Sequence, residues 1–314
     1  MNPPAGILKL PQAVQILVPL LCLALCRLIF PGPVAGAANP GKYLPPPTVF
    51  VGIAPHRWLC RRIGGERVRV ELLLPPGKSP ASFVPTPAQV RELSRARLYF
   101  QLGLPFEREL LKRLALMPRH PEIIDLQAGI ELRPMADSDP GKPGKRVAGS
   151  AGRDPHTWLD PRLAARQAAT MAAALSRIDP DGSKLYAANL ARLEKELDNL
   201  YRELKKQLEP LSGSTLLVYH PAFGYFAAAF GLHQAAIEAA GKQPRGRALA
   251  ELIQKARRLK VRAIFVEPQF DRRSAEKIAA TLNCAVVAID PLAADYSANL
   301  KRIAATISRF PGPR

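Results

Sequence analysis

The sequence predicts an α/β protein of two lobes, each with a parallel sheet flanked by helices, joined by one long helix. Short runs rich in β-branched and apolar residues alternate with helical stretches in both halves of the chain, and strands separated by helices pair in parallel. The length of 314 residues is enough for two lobes with their own cores. A stripe of leucines between the two halves fits a single amphipathic helix.

Residues 1–37 predict a cleaved secretory signal peptide. Lys9 precedes an apolar run from Ala13 to Cys26, and Ala35-Gly36-Ala37 has the small-x-small pattern of a cleavage site. The run is shorter than the roughly 20 residues that span a bilayer, although retention as an uncleaved anchor is an alternative. Leu25 stands before Cys26 where a lipoprotein acylation site has a small residue, so lipid anchoring is the less favoured alternative.

The first lobe is expected at residues 38–185. Its predicted elements are the strands Thr48–Ile53, Val68–Leu74, Arg97–Leu102 and Glu122–Leu126 and the helices Arg57–Ile63, Pro87–Ser94 and Phe106–Leu116. Residues 135–154 combine Gly, Pro, Ser and charge without an apolar period, which predicts a mobile surface loop.

The long helix that links the lobes is expected at residues 186–211, and the second lobe at residues 212–314. The apolar stripe of the helix consists of Leu190, Leu193, Leu197, Leu200, Leu204 and Leu208, which recur every three to four residues. The strands predicted in the second lobe are Ser214–Tyr219, Gln234–Glu238, Arg262–Glu267 and Cys284–Asp290.

The formal charge of +19 raises nucleic acid as a partner, but the distribution of the charge argues against it. Lys and Arg are spread through both lobes and interleaved with Glu, without a basic-aromatic stripe or a known binding module. Beyond the signal peptide the cysteines are Cys60 and Cys284. We expect them to be buried, unpaired thiols, although an exported protein is also able to form a disulfide.

Three segments carry residues able to bind a metal. His156 lies in the run DPHTWLDP before a helix, His220 ends the first strand of the second lobe, and Asp290 ends a later strand there. Polar residues at the carboxyl ends of parallel strands converge on the crevice where such folds bind ligands. Imidazole and carboxylate groups suit zinc. Each residue taken alone also fits a helix cap or a buried polar position.

These segments resemble the periplasmic metal-binding proteins of zinc and manganese ABC importers, the ZnuA-like and TroA-like family. The similarity runs from Thr48 to Ile307 through VFVGIAP, RIGGERVRVELLLPPGKSPASFVPTP, DPHTWLDP, VYHPAFGYFAAAFGL, IFVEPQF and AIDPLA, in that order. The resemblance implies a metal cleft between the lobes, with His156, His220 and Asp290 as three of its ligands. It also implies a periplasmic, monomeric solute-binding protein that captures a divalent metal, zinc before manganese, and delivers it to an ABC permease in the inner membrane.

The chain departs from this family at the first metal ligand. Family members commonly have Pro-His where this chain has Pro80-Ala81, so a methyl group replaces an imidazole. His56, just after the first strand, is a candidate replacement ligand; the alternative is that it caps the following helix or lines the cleft beside the ligands. Glu267 is expected to orient a ligand next to Asp290, with direct ligation as the alternative. The loop before DPHTWLDP lacks the histidines that the family often has there.

Two other functions remain open at this point. Because Ala81 removes a ligand, the same fold could bind a different solute or act as an interaction module. A zinc-dependent hydrolase with Glu267 as general base is the other candidate, but no H-E-x-x-H or comparable motif accompanies the histidines. If the histidines bind metal, their protonation below about pH 6 is expected to release it.

Overall fold

The structure is a computed structural model that describes residues 45–135, 152–238, 244 and 246–311. The signal peptide predicted at residues 1–37 lies outside the described residues, as does most of the loop predicted at 135–154. The two ends of that loop meet in an antiparallel bridge between Pro134 and Arg153. Both sheets belong to one unit, Pro46–Arg314.

The first half of the chain forms the predicted parallel sheet, in the strand order β2-β1-β3-β4. Its strands are β1 (Thr48–Val51), β2 (Arg69–Leu72), β3 (Leu98–Gln101) and β4 (Glu122–Asp125), and its helices are α1 (Ala54–Gly64), α2 (Pro87–Ser94) and α3 (Pro105–Ala115). Helix α1 starts three residues before the predicted Arg57. Pro55 in its first turn has the backbone angle of a helix and needs no hydrogen-bond acceptor, which favours this earlier start.

Two long helices, α4 (Pro161–Ile178) and α5 (Ser183–Leu208), connect the sheets. The Asp160 carboxylate accepts a hydrogen bond from the backbone N–H of Arg162 and so caps α4. Helix α5 is the predicted linking helix, and it starts three residues earlier than expected. It also ends three residues earlier, because a 3-10 turn containing Pro210 follows it. Five leucines of the predicted stripe are buried, and α5 packs against α1, α4 and α9 (Tyr296–Ser308).

The second half repeats the same sheet order as β6-β5-β7-β8, again with all strands parallel. Its elements are β5 (Thr215–Val218), α6 (Gly224–Ala229), β6 (His233–Ala236), α7 (Gly246–Arg258), β7 (Ala263–Val266), α8 (Arg272–Leu282), β8 (Ala285–Ala288) and α9. Alternate residues point to opposite faces of this sheet. Leu216 and Val218 join the core shared with the first half, whereas Leu217 and Ile264 pack in a separate cluster with α7 and α8.

The strand order reverses between β1 and β3 in one sheet and between β5 and β7 in the other. Open α/β sheets bind ligands beyond the carboxyl ends of the strands at such points. Cys60 is a buried free thiol and Cys284 a half-buried one, in agreement with the expectation that they are unpaired. In the part of the chain that the structure describes, no helix has both the length and the apolar character needed to cross a membrane.

Candidate metal site

A cleft lies beyond the carboxyl ends of the strands, where residues of both halves meet. The first half supplies Ser79, Pro80, Ala81, Leu104 and Pro105; the segment around the start of α4 supplies Met135, Pro155, His156 and Trp158; and the second half supplies His220, Ala222, Glu267, Gln269, Phe270, Pro291 and Leu292. His156 and His220 therefore face the same space, as the sequence predicts.

His156 is held in place by Asp154, two residues before it. The Asp154 carboxylate accepts hydrogen bonds from the backbone N–H of His156 at 2.9 Å and from its Nδ1 at 2.7 Å. Because a carboxylate only accepts, Nδ1 carries a ring proton, and Nε2 is the nitrogen left to bind a metal. A carboxylate that accepts a hydrogen bond from the other ring nitrogen fixes both the tautomer and the orientation of a metal-binding histidine.

His220 has the same arrangement with a different carboxylate. Its Nδ1 donates to Oε2 of Glu238 at 3.2 Å, and its ring stacks on Phe270 with 5.1 Å between centroids. Burial lowers the pKa of His220, and Glu238 opposes the shift only in part, so the imidazole is neutral as metal binding requires. The ring centroids of His156 and His220 lie 5.4 Å apart.

Asp290 follows β8, which is separated from β5 by β7, and it is half-buried beside the cleft. Its Oδ1 accepts hydrogen bonds from Nε2 of Gln269 at 3.0 Å and from the backbone N–H of Leu292 at 2.9 Å. Its backbone carbonyl accepts a bond from Nδ2 of Asn299 at 2.6 Å. These contacts fix the position of the carboxylate through one oxygen, and Pro291, the next residue, lines the cleft.

Glu267 follows β7 directly and lines the cleft with only 1% of its surface exposed. Neither carboxylate oxygen has a hydrogen-bond partner among the described residues. Burial raises the pKa of Glu267 to about 8, and the charges of Glu238 and Asp290 act in the same direction. The backbone N–H groups of Glu267 and His220 oppose this shift, but their geometry falls short of a hydrogen bond.

His56 is fully buried and is not among the residues that line the cleft. Its Nε2 contacts Oε1 of Gln167 at 3.1 Å, and Nε2 of Gln167 donates to Oγ1 of Thr157 at 2.8 Å. Burial lowers the pKa of His56 to about 4, so it is neutral. His56 makes no capping bond to α1. It supports the segment that carries His156, and its predicted role as a ligand stays a prediction that this arrangement does not favour.

Trp158 connects the two sides of the cleft. Its ring lies 5.2 Å from that of His156 and 6.1 Å from that of His56, measured between centroids. Its Nε1 donates to the carbonyl of Pro291 at 2.8 Å, and its own carbonyl accepts from the hydroxyl of Tyr296 at 2.6 Å. Both bonds join the segment of His156 to the segment that follows Asp290.

Apart from Ser79, the first-half residues that line the cleft are apolar. Ala81 provides a methyl group where an imidazole is expected in the family, and Leu104 and Pro105 lie beside it. Behind them, the buried Glu107 accepts hydrogen bonds from the backbone N–H groups of Leu102 at 3.0 Å and Leu104 at 2.7 Å and from the Tyr99 hydroxyl at 2.5 Å. Glu107 thus shapes this wall without reaching its surface.

Sequence reasoning missed two residues of the site, Asp154 and Glu238. Asp154 begins the motif that contains His156, and Glu238 ends a predicted strand. These positions indicated that both residues lie near the cleft. Within the described ranges, no three His, Cys, Asp or Glu side chains already stand at metal-binding distances from one another.

Comparison with known proteins decides the family. Residues 49–310 match the family model described as "ZnuA: Zinc-uptake complex component A periplasmic". The chain belongs to this family. A crystal structure of ZnuA is 37% identical, with a TM-score of 0.77 over 84% of this chain and 99% of that one. The predicted family and the two-lobed fold are therefore confirmed. The family provides the metal-binding component of ABC importers, and the chain is not an enzyme, which removes the hydrolase alternative.

Relatives named for two different metals are similar to this chain. The high-affinity zinc uptake system protein ZnuA of Bacillus subtilis is 28% identical over 235 residues, covering 71% of this chain and 70% of that protein. The manganese-binding lipoprotein MntA of Halalkalibacterium halodurans is 26% identical over 213 residues, covering 67% of each. The comparisons support a zinc- or manganese-binding component that acts outside the cytoplasm.

Proposed function

We propose that this protein captures zinc in the cleft and delivers it to an ABC permease of the inner membrane. The observation that carries the proposal is the pair His156 and His220. They face one cleft from two parts of the chain, and each has its Nδ1 bound to a buried carboxylate. This arrangement presents two Nε2 lone pairs to a shared ion, which is the usual form of a histidine metal site.

Asp290 is the third proposed ligand. It lies at the same edge of the sheet as His220, with Oδ1 held by Gln269 and Leu292. Two imidazoles and a carboxylate are common ligands of zinc, whereas manganese prefers sites richer in oxygen. We place His56 behind the ligands, where it supports the segment of His156 through Gln167.

The proposal also covers the location of the protein, its two lobes and its partner. Residues 1–37 serve as the signal peptide, and the mature protein acts in the periplasm as a monomer. Residues 38–185 and 212–314 are the two lobes, and the intervening segment links them. Delivery to the permease follows from membership of the importer family.

Ala81 favours a second candidate, binding of a different solute by the same fold. The wall formed by Ala81, Leu104 and Pro105 is apolar and offers no ligand. This candidate requires that the histidine pair does not hold a metal, so a direct binding measurement separates the two.

The test is a calorimetric titration of the mature protein with zinc after removal of metal by a chelator. We expect one zinc per chain with a dissociation constant below about 1 μM, equivalent to roughly 8 kcal/mol of binding free energy. His156→Ala should abolish binding in that range. His120→Ala is the matched control, because His120 is exposed and its Nδ1 contacts only the carbonyl of Pro121. Absence of zinc binding by the wild-type protein at micromolar concentration would contradict the proposal.

A further inference from the structure

Glu267 occupies the centre of the metal-binding edge of the second sheet. Strand β7, which it follows, pairs with β5 on one side and with β8 on the other. His220 follows β5 and Asp290 follows β8, and adjacent strands lie about 4.8 Å apart. Glu267 thus lies between two proposed ligands in the strand order, and it lines the cleft together with His220.

The environment of Glu267 differs from that of the buried carboxylates that contact the two histidines. Asp154 and Glu238 each bind the Nδ1 of a histidine. Glu267 is 1% exposed, and neither of its oxygens has a hydrogen-bond partner in the described part of the chain. A buried, unpaired carboxylate is strongly unfavourable unless a cation or a donor compensates it. A divalent ion held by His156 and His220 would supply that compensation.

The absence of an imidazole at position 81 leaves a coordination position that the carboxylate of Glu267 is able to fill. With Ala81 on the opposite wall, His156, His220 and Asp290 leave a fourth position open at an ion that usually takes four ligands. We propose that Glu267 is the fourth metal ligand, so that the second lobe provides three of the four donors. This inference rests on the proposed function, because it assigns a further ligand to the same ion.

The proposed set has a consequence for metal preference. Two imidazoles with two carboxylates form a harder donor set than three imidazoles with one carboxylate. Carboxylate oxygens suit manganese, whereas imidazole suits zinc. The protein should therefore bind manganese as well as zinc, and Glu267 should matter more for manganese.

The experiment measures zinc and manganese affinities for the wild-type protein and for Glu267→Gln, which keeps the shape of the side chain but cannot form a carboxylate. We expect the variant to lose about 100-fold or more in zinc affinity, beyond the roughly 10–100-fold typical of residues that only orient a ligand. Its manganese affinity should fall further. Glu276→Gln is the control, an exposed glutamate on α8 paired with Arg272, and should bind both metals as the wild type does.

A double-variant cycle distinguishes a ligand from a structural residue. If Glu267 fills the coordination position that Ala81 leaves open, Ala81→His should raise zinc affinity much more in the Glu267→Gln background than in the wild type, because only the former lacks a fourth donor. Equal gains in the two backgrounds would overturn the inference. If Glu267→Gln does not fold, Glu267→Asp replaces it in the experiment, because aspartate retains a carboxylate. Glu267→Asp should bind manganese more tightly than Glu267→Ala does.

The outcomes separate the two proposals. Zinc binding by the wild type that is lost in His156→Ala but unchanged in Glu267→Gln would overturn the role of Glu267 and leave the proposed function intact. Failure of the wild type to bind zinc would overturn both. Circular dichroism and thermal unfolding of each metal-free variant show whether a loss of affinity reflects a loss of fold.

Discussion

The two sheets share one strand order, yet their carboxyl ends differ in chemistry. In the second sheet each strand is followed within two residues by a histidine or a carboxylate, in the spatial order Glu238, His220, Glu267 and Asp290. In the first sheet the two residues after each strand are apolar or glycine, as at Gly52, Leu73 and Leu102, except for Gln127 after β4, and none of them is a histidine or a carboxylate. The same topology thus provides a cleft edge twice, and only the second carries the side chains that we propose as metal ligands.

Acidification protonates the proposed ligands on both sides of the cleft, His156 and His220. We expect it to lower zinc affinity more than any of the substitutions below. Metal binding requires neutral imidazoles, so each histidine that takes up a proton lowers affinity about tenfold per pH unit below its pKa. Burial raises the pKa of Glu267 to about 8, so a ligand role for this carboxylate makes zinc affinity begin to fall below about pH 8. Because burial lowers the pKa of His220, protonation of that imidazole should add to the fall only at lower pH. Titrations between pH 8 and pH 5 measure this. Affinity that rises on acidification would contradict histidine ligation.

Substitution of the carboxylates that contact the two histidines tests whether both imidazoles depend on a hydrogen bond at Nδ1. Asp154→Asn and Glu238→Gln each replace an obligate acceptor of an Nδ1–H, which loosens the tautomer and the orientation of the ring. Each should weaken zinc binding by about 10–100-fold. The measurement is zinc competition with a chromogenic chelator. An effect confined to one of the two variants would show that only one histidine is a ligand.

Ala81→His in the wild-type background gives the first lobe the donor that it lacks. With four ligands already present, we expect less than about a tenfold gain in zinc affinity, together with a shift in preference from manganese to zinc. Ala81→Gln is a control that adds bulk without an imidazole. A gain of several hundredfold would show that the wild-type site is three-coordinate and that the second lobe supplies fewer donors than proposed.

His56→Ala should have the smallest effect on metal binding. The change removes the partner of Gln167 and leaves a buried polar group unsatisfied, so the free energy of unfolding should fall by about 1–3 kcal/mol. Zinc affinity should stay within about threefold of the wild type. Urea denaturation and the zinc titration measure the two quantities. A large loss of affinity without a loss of stability would restore His56 as a ligand.

Much of this architecture could be predicted from local sequence patterns. All eight strands follow from β-rich runs between helices, and His156, His220 and Asp290 follow from their places after strands or before a helix. The bond between His220 and Glu238 could not be predicted, because it depends on β6 lying beside β5. The burial of His56 was also missed. Helix α1 begins at Ala54, which places His56 in its first turn, where it contacts Gln167 of α4.

The central claim is that one metal ion lies in the cleft and is held mainly by the second lobe. Anomalous diffraction at the zinc edge from crystals of the zinc-loaded protein tests it directly. We predict one ion at about 2.0–2.2 Å from Nε2 of His156, Nε2 of His220 and carboxylate oxygens of Asp290 and Glu267. Zinc bound elsewhere, through His56 or only at surface side chains, would contradict the account.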